Sequence, residues 1–219
     1  MSEHLIILFA LEREAAPFRR LAAGREGIRI AVSGVGAAAA RRAAEDLTRH
    51  NRTATVIAAG FCGALRSGLG VGTVVAATDV VNGNGSRWAC CDTGRPPARL
   101  LTTSHLVATP VEKHVFHARF QAEIVDMESA AVAEVCAARG VPFQAIRVVS
   151  DAVETALSPR LVKLLSGANV SPSRAALAVV RQPSLIPEFY RLARDTKRAA
   201  MHLAAGLMHW VEPRVSRCA

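Results

Sequence analysis

The chain has 219 residues, 51% of them hydrophobic, enough to bury a sizeable core as one domain and without a run long enough to cross a membrane. Its net charge of +9 has the sign that attracts nucleic acid and anionic lipid. Nucleic acid is not an expected partner, because the arginines are spread along the chain, no helix-turn-helix or RNA-binding motif occurs, and an aromatic content of 5% leaves few stacking platforms.

In chain order, the apolar run at 5–10 predicts a strand and 12–23 a helix. A strand at 28–32 leads through Gly34, Val35 and Gly36 into a helix at 36–50. Further strands fall at 55–60, 73–81 and 143–149, and further helices at 124–139, 159–166, 173–182 and 184–211. The stretch 82–97, with Asn-Gly-Asn-Gly and Arg-Pro-Pro, reads as a loop. This alternation predicts an α/β fold, a mixed or parallel sheet sandwiched by helices in a single domain over 1–219. Pro172, Pro183 and Pro187 mark helix starts in the last third, where strand signals cease, so the C-terminal amphipathic helix is expected to wrap the core.

LIILF at the N-terminus is only strand length and lacks the flanks of a secretory signal, so a cytoplasmic location is expected. The five cysteines, Cys62, Cys90, Cys91, Cys136 and Cys218, are odd in number and lack C-x-x-C spacing, which favours thiols over a disulfide framework or a zinc site. Gly34, Gly36 and Ala39 spell G-x-G-x-x-A, a turn of dinucleotide-binding type, but the next strand ends in Gly60 and Phe61 where such a site needs an acid for the ribose hydroxyl. No cofactor and no metal is expected.

Two carboxylates stand at element ends in an apolar setting. Glu128 opens an alanine-rich helix closed by Gly140 with Pro142 beyond, and Asp151 ends the strand after it. In α/β folds such positions converge on one cleft, where rigid elements hold side chains for chemistry. Taken alone, Asp151 is as readily a helix N-cap as an acid. Glu128 is equally a first-turn carboxylate favoured by the helix dipole, and Glu12 and Glu14 a solvated helix face.

The segment DMESAAVAEVCAARGVPFQAIRVVSD resembles the signature of the nucleoside phosphorylase and nucleosidase superfamily, which includes the methylthioadenosine/S-adenosylhomocysteine nucleosidases. LIILFALEREAAPF, SGVGAAAARRAAEDL and AAGFCGALRSGLGVGTVVAATDVV resemble that family's first strand and acidic loop, its second motif and its glycine turn, in the family's order. The resemblance implies a three-layer α/β/α nucleoside phosphorylase-like fold with a mixed central sheet, assembled as a homodimer or larger, that cleaves the N-glycosidic bond of a purine nucleoside. It implies that Asp151 delivers a proton to purine N7. Glu128 then holds the ribose hydroxyls and favours the cationic sugar of the transition state, with Met127 on the sugar face. Glu14 falls at the residue that orients the attacking nucleophile, and Gly60, Phe61, Val107 and Ser150 complete the substrate site.

Relative to bacterial purine phosphorylases, Ala58 stands at the arginine position and Phe61 at the serine position of the phosphate site. Hydrolysis is therefore favoured over phosphorolysis, with Arg13, Arg66 and Arg147 as other sources of charge. Val107 stands where the methylthioadenosine nucleosidases carry the phenylalanine that stacks on adenine. DMES in place of EMEA, and the tail SPRLVKLL with SRAALAVVRQPSLIPEFYRLARDTKRAA, resemble the hopanoid-associated branch, whose members release adenine from adenosylhopane. In that tail Leu185, Phe189, Leu192, Ala199, Leu203 and Leu207 form one stripe, with Arg191, Arg194, Lys197 and Arg198 available to the other side. Such a helix suits either packing on the sheet or rest at a lipid headgroup boundary on the inner membrane surface. The alternative from another class is a catalytically idle nucleoside-binding or membrane-associated module.

Overall fold

The computed structural model describes residues 4–51, 53–91, 97–159, 162 and 186–215. Among them, in chain order, are β1 (Leu5–Phe9), α1 (Glu12–Leu21), β2 (Ile28–Val32), α2 (Ala37–Thr48), β3 (Thr55–Ala64), β4 (Val74–Ala76), β5 (Asp79–Asn82), β6 (Arg87–Ala89) and β7 (Arg99–Thr102). Then come α3 (Pro110–Phe120), β8 (Ile124–Asp126), α4 (Ser129–Arg139), β9 (Phe143–Asp151) and α5 (Ile186–Val215). The strands form one mixed sheet in the order β2-β1-β3-β8-β7-β5-β6, with β9 pairing β3 and β4. β3 is its spine: parallel to β1 on one side and β9 on the other, it ends with Gly63 and Ala64 antiparallel to β8.

β1 shows why the sheet is covered on both faces. All five of its residues are buried. Ile6 and Leu8 pack with Ala44 and Leu47 of α2 and with Val132 and Cys136 of α4. Leu5, Ile7 and Phe9 pack with Phe18 of α1 and with Leu203 and Leu207 of α5. Period-two alternation thus sends consecutive apolar residues into opposite layers, and the three-layer α/β/α arrangement is the result. A third cluster, Leu65, Leu101, Val107 and Val125 against Phe116 and Phe120, seats α3 beside β7 and β8.

Several elements differ from expectation. The strand expected at 73–81 is two strands, because Val74–Ala76 pairs with β9 whereas Asp79–Asn82 pairs with β7, and the chain crosses between them. The expected loop 82–97 contains β6, which returns antiparallel to β5 after Asn82 Oδ1 accepts the amides of Asn84 and Ser86. β7 and α3 have no counterpart in the expectations. Ile124–Asp126, expected as the start of a helix, is a strand held by β3 and β7, and the helix begins at Ser129. It closes, as expected, on Gly140 with φ 64°. The helices expected at 159–166 and 173–182 lie outside the described residues apart from Pro159 and Val162.

Of the two uses open to the C-terminal stripe, packing on the sheet is the one seen. Ala199, Leu203 and Leu207 are buried, while Arg191, Arg194, Lys197 and Arg198 lie on the more open side. No described helix is long and apolar enough to cross a membrane. One irregularity sets the direction of a site residue: between Cys62 and Gly63 the register with β9 slips, so that Ser150 is the extra residue of a bulge and Gly63 lies opposite Asp151.

Candidate active site

Strands β3 and β9 run side by side, and their register sets Gly60 beside Arg147 and Gly63 beside Asp151. The polar groups of the site gather along the carboxyl ends of these strands, where open α/β sheets bind ligands.

Glu14 enters from α1. As the third helical residue it reaches back over the helix start, so that Oε2 accepts the amides of Leu11 at 2.8 Å and Ala10 at 3.1 Å. Its other oxygen, Oε1, accepts the amide of Phe61 at 2.9 Å. Burial raises its pKa above the ordinary glutamate value, with the Phe61 amide and Arg147 pulling the other way. Glu12, two residues earlier, points outward and pairs with Arg19 at 3.3 Å. Helix geometry therefore separates the two carboxylates of the Glu-Arg-Glu run into one inside the site and one in solvent.

Glu128 is the N-cap residue of α4, and its Oε1 accepts the amide of Gly36 at 2.7 Å. Gly36 has φ 93°, in the left-handed region that glycine enters without strain. The glycine turn of dinucleotide-binding appearance thus presents its amide to a carboxylate of this site. Burial, then the nearby Asp126 charge, push the Glu128 pKa up to about 7 against Arg147 and the Gly36 amide. Met127, its neighbour in the chain, is half-buried, as is Phe61, whose ring lies 5.8 Å from the Arg13 guanidinium carbon.

Arg147 links these carboxylates. Deeply buried, it meets Asp126 Oδ2 at 2.5 Å and Ser129 Oγ at 2.7 Å. Desolvation works against its charge, but Asp126, Glu128 and Glu14 outweigh that and raise its pKa. Asp126 is completed by the Thr102 hydroxyl at 2.7 Å and the Ser129 amide at 3.0 Å. A Cβ on Gly60 would lie 2.6 Å from Arg147 Nη1 and 3.0 Å from Glu14 Oε1, so the missing side chain is what lets these groups approach. Sequence reasoning offers Arg147 only as a source of charge and passes over Asp126. The readable signal is a charged residue inside each of two apolar strands, IRVV and IVD, since unpaired charges are almost never buried.

At the far end of β9, Asp151 Oδ2 lies 2.5 Å from the ammonium of Lys113, which is wholly buried and also donates to the carbonyls of Ala152 at 2.7 Å and Thr155 at 3.3 Å. Ser150 Oγ stands 2.8 Å from Asp151 Oδ1 and 3.2 Å from the Cys62 carbonyl, so it touches the acid directly. Lys113 escapes the sequence reading, though its position three and seven residues before Phe116 and Phe120 marks it as inward-facing on an amphipathic helix. Val107, 4% exposed, is core packing in the α3 cluster and offers no open face. Burial raises the Cys62 thiol well above its ordinary pKa, which leaves it an inert neighbour. A cavity of about 60 Å³ opens between Asp151 and Thr155 on one side and Glu188, Arg191 and Asp195 of α5 on the other. A cleft of about 440 Å³ lined by Trp88, His105, Phe116 and Phe120 includes none of the carboxylates described above.

Residues 12–101 and 89–180 match the model of the family described as the phosphorylase superfamily. No curated protein is similar enough in sequence to count as a relative. Among solved structures, the chain is similar to the 5'-methylthioadenosine/S-adenosylhomocysteine nucleosidase of Helicobacter pylori with butyl-thio-DADMe-Immucillin-A, at TM-score 0.71 and 16% identity over 97% of this chain and 99% of that one. It is also similar to the futalosine hydrolase of the same species, at 0.72 and 16% over 97% and 99%. A third is the nucleosidase of Neisseria meningitidis in complex with methylthio-immucillin-A, at 0.68 and 19% over 99% and 100%. At such identities the likeness is one of fold, which agrees with the nucleoside phosphorylase-like arrangement expected of the sequence.

Proposed function

The chain belongs to the phosphorylase superfamily, and from that premise we propose that it is an enzyme that cleaves the N-glycosidic bond of an adenine nucleoside with water. The observation that carries this reading is the seating of Glu14, Glu128 and Asp126 around the buried cation Arg147 midway along the β3–β9 seam, with Asp151 at its carboxyl end. A surplus of negative charge favours a sugar with oxocarbenium character and disfavours a phosphate nucleophile. Glu128 takes the ribose hydroxyls and Met127 and Phe61 line the sugar. Glu14, its pKa raised, accepts a proton from the attacking water. Asp151 gives a proton to the purine as the C1'–N9 bond breaks, so that the base leaves neutral.

For the substrate we propose adenosylhopane, on the resemblance of DMES and the tail to the hopanoid-associated branch. The nucleosidase neighbours act, by name, on 5'-methylthioadenosine and S-adenosylhomocysteine, and these are the alternative substrates. The reading further holds that residues 1–219 act as one domain, in a cytoplasmic homodimer or larger assembly, with the basic side of α5 against anionic lipid. Protein recovered with anionic vesicles on flotation at moderate salt supports the last point, and protein left wholly in the lower fraction removes it.

Arg13, beside Phe61 and acting on Glu14 through its charge, favours a second reading in which phosphate is the nucleophile. Adenine release from 5'-methylthioadenosine and from adenosylhopane, measured with and without phosphate, tests both. Release without phosphate, lost in Asp151→Asn and Glu128→Gln, is the expected result. Strict phosphate dependence selects phosphorolysis, and tight binding with no free adenine leaves only an idle module.

A further inference from the structure

The proton on a carboxylic acid sits on one oxygen, and Asp151 has two. Their surroundings differ sharply. Oδ2 faces the Lys113 ammonium at 2.5 Å, and an ammonium offers only donors, so an oxygen in that contact has no room for a proton of its own. Gly63 makes the room for this arrangement, since a Cβ there would lie 3.0 Å from the same oxygen. Oδ1 faces a hydroxyl, Ser150 Oγ at 2.8 Å, which can accept as readily as donate and has the Cys62 carbonyl at 3.2 Å to receive its own hydrogen. Lys113 is itself fully committed, its three donors matched by Asp151, Ala152 and Thr155, so the ammonium is fixed in place as well as paired.

We propose, building on the N-glycosidase reading above, that Lys113 is the positioning residue of the acid: it locks Asp151 Oδ2 and confines the transferable proton to Oδ1, the oxygen left to meet the purine. In the step itself the C1'–N9 bond breaks with its electron pair passing to the purine, the proton moves from Asp151 Oδ1 to the base nitrogen, and Asp151 is left as a carboxylate paired with Lys113. The oxygen of water bonds to C1' and its proton passes to Glu14, so that the products are neutral adenine and the hydroxyl sugar. Lys113 neither gains nor loses a proton. Without it the carboxyl group is free to turn, and the proton is no longer confined to Oδ1.

The test is a two-by-two set of variants assayed for adenine release from 5'-methylthioadenosine, with melting curves to establish that each is folded. Lys113→Met keeps the length of the side chain without its charge and is expected to lower kcat about 10²-fold, the lower range for loss of general acid catalysis, with KM changed by no more than about 3-fold. Lys113→Arg, which restores a fixed cationic donor, is expected to recover part of that loss. In the Asp151→Asn background Lys113→Met is expected to cost nothing further, because the group it positions is gone. Should Lys113→Met fail to fold, Lys113→Gln serves in its place. Wild-type kcat in Lys113→Met, or the same fold-loss with and without Asp151, overturns the proposal while leaving the N-glycosidase reading intact. Wild-type protein that releases no adenine from 5'-methylthioadenosine or from adenosylhopane overturns both.

Discussion

Two places along the β3–β9 seam, the middle at Arg147 and the carboxyl end at Asp151, solve opposite electrostatic problems with carboxylates and a buried cation. Around Arg147 three carboxylates share one buried guanidinium; burial raises the pKa of Glu14 and of Glu128, and for Glu128 the neighbouring Asp126 charge raises it further. At the Asp151 end one carboxylate meets one ammonium, and every donor of that ammonium is satisfied. A site with surplus negative charge is held at a cost in stability and attracts a developing cation. Once Asp151 has given up its proton the pair is electrically closed, and Lys113 holds its geometry throughout. The difference teaches that burial alone does not tell what a carboxylate is for; the count of charges within reach does.

The comparison breaks most severely if the shared cation is removed. Arg147→Met leaves Asp126, Glu128 and Glu14 without their common partner and is expected to cost about 3–5 kcal/mol of folding stability, read as a fall in the denaturation midpoint at pH 8. Recovery at acid pH, where the three groups take up protons, distinguishes a charge effect from a packing defect. Next in size is catalysis: Glu14→Gln is expected to lower kcat roughly 10²–10⁴-fold with little change in KM, because it acts on the nucleophile. Glu128→Gln is expected to weaken substrate binding and kcat together.

Gly60→Ala sharpens the same point through sterics. With its Cβ 2.6 Å from Arg147 Nη1, in a guanidinium held by Asp126 and Ser129, the side chain has nowhere to yield cheaply, and about 1–3 kcal/mol of destabilisation is expected. A stability equal to wild type would mean that Arg147 has a second resting place.

Glu128 contributes to the acid side of the pH response. Because it acts ionised and titrates at about 7, Glu128 is expected to make kcat/KM rise as pH passes up through 7. Its effect on stability has the reverse slope: the folded value lies above the ordinary glutamate value of 4.5, so the folded protein binds the extra proton between these limits and stability falls as pH rises across them. Glu128→Gln is expected to flatten that slope and to gain about 1–2 kcal/mol at pH 8, a gain limited by screening because the residue is partly exposed. The smallest effect belongs to the solvated carboxylate of the first helix: Glu12→Ala is expected to change stability by no more than about 1 kcal/mol and kcat not at all.

Much of this is legible in the chain itself. β1, β2 and β9 are short, mostly apolar runs, the helix before β9 carries a clear stop at Gly140, and Glu14, Glu128 and Asp151 stand near element boundaries where a motif can be matched. The elements that escape such a reading are those whose identity comes from their neighbours. β8 has three residues and β7 four, too few for a period to show, and they are strands because β3 and β5 supply hydrogen-bonding edges. Losing β7 and α3 from the reading means losing Lys113. Asp126 and Arg147 stand in plain sight as charges inside apolar strands, but which of several carboxylates an arginine meets is decided by sheet order, which local sequence does not carry.

The bulge at Ser150 has a consequence for how this site can change. Along a strand, facing is a matter of parity: each added or removed residue turns everything beyond it to the other side of the sheet. The heading of the acid is therefore governed by chain length between Val149 and Asp151 as much as by the identity of either. Shortening that stretch by one residue removes Ser150 and would be expected to turn the acid toward the opposite helical layer, with Glu14, Glu128 and Arg147 left in place.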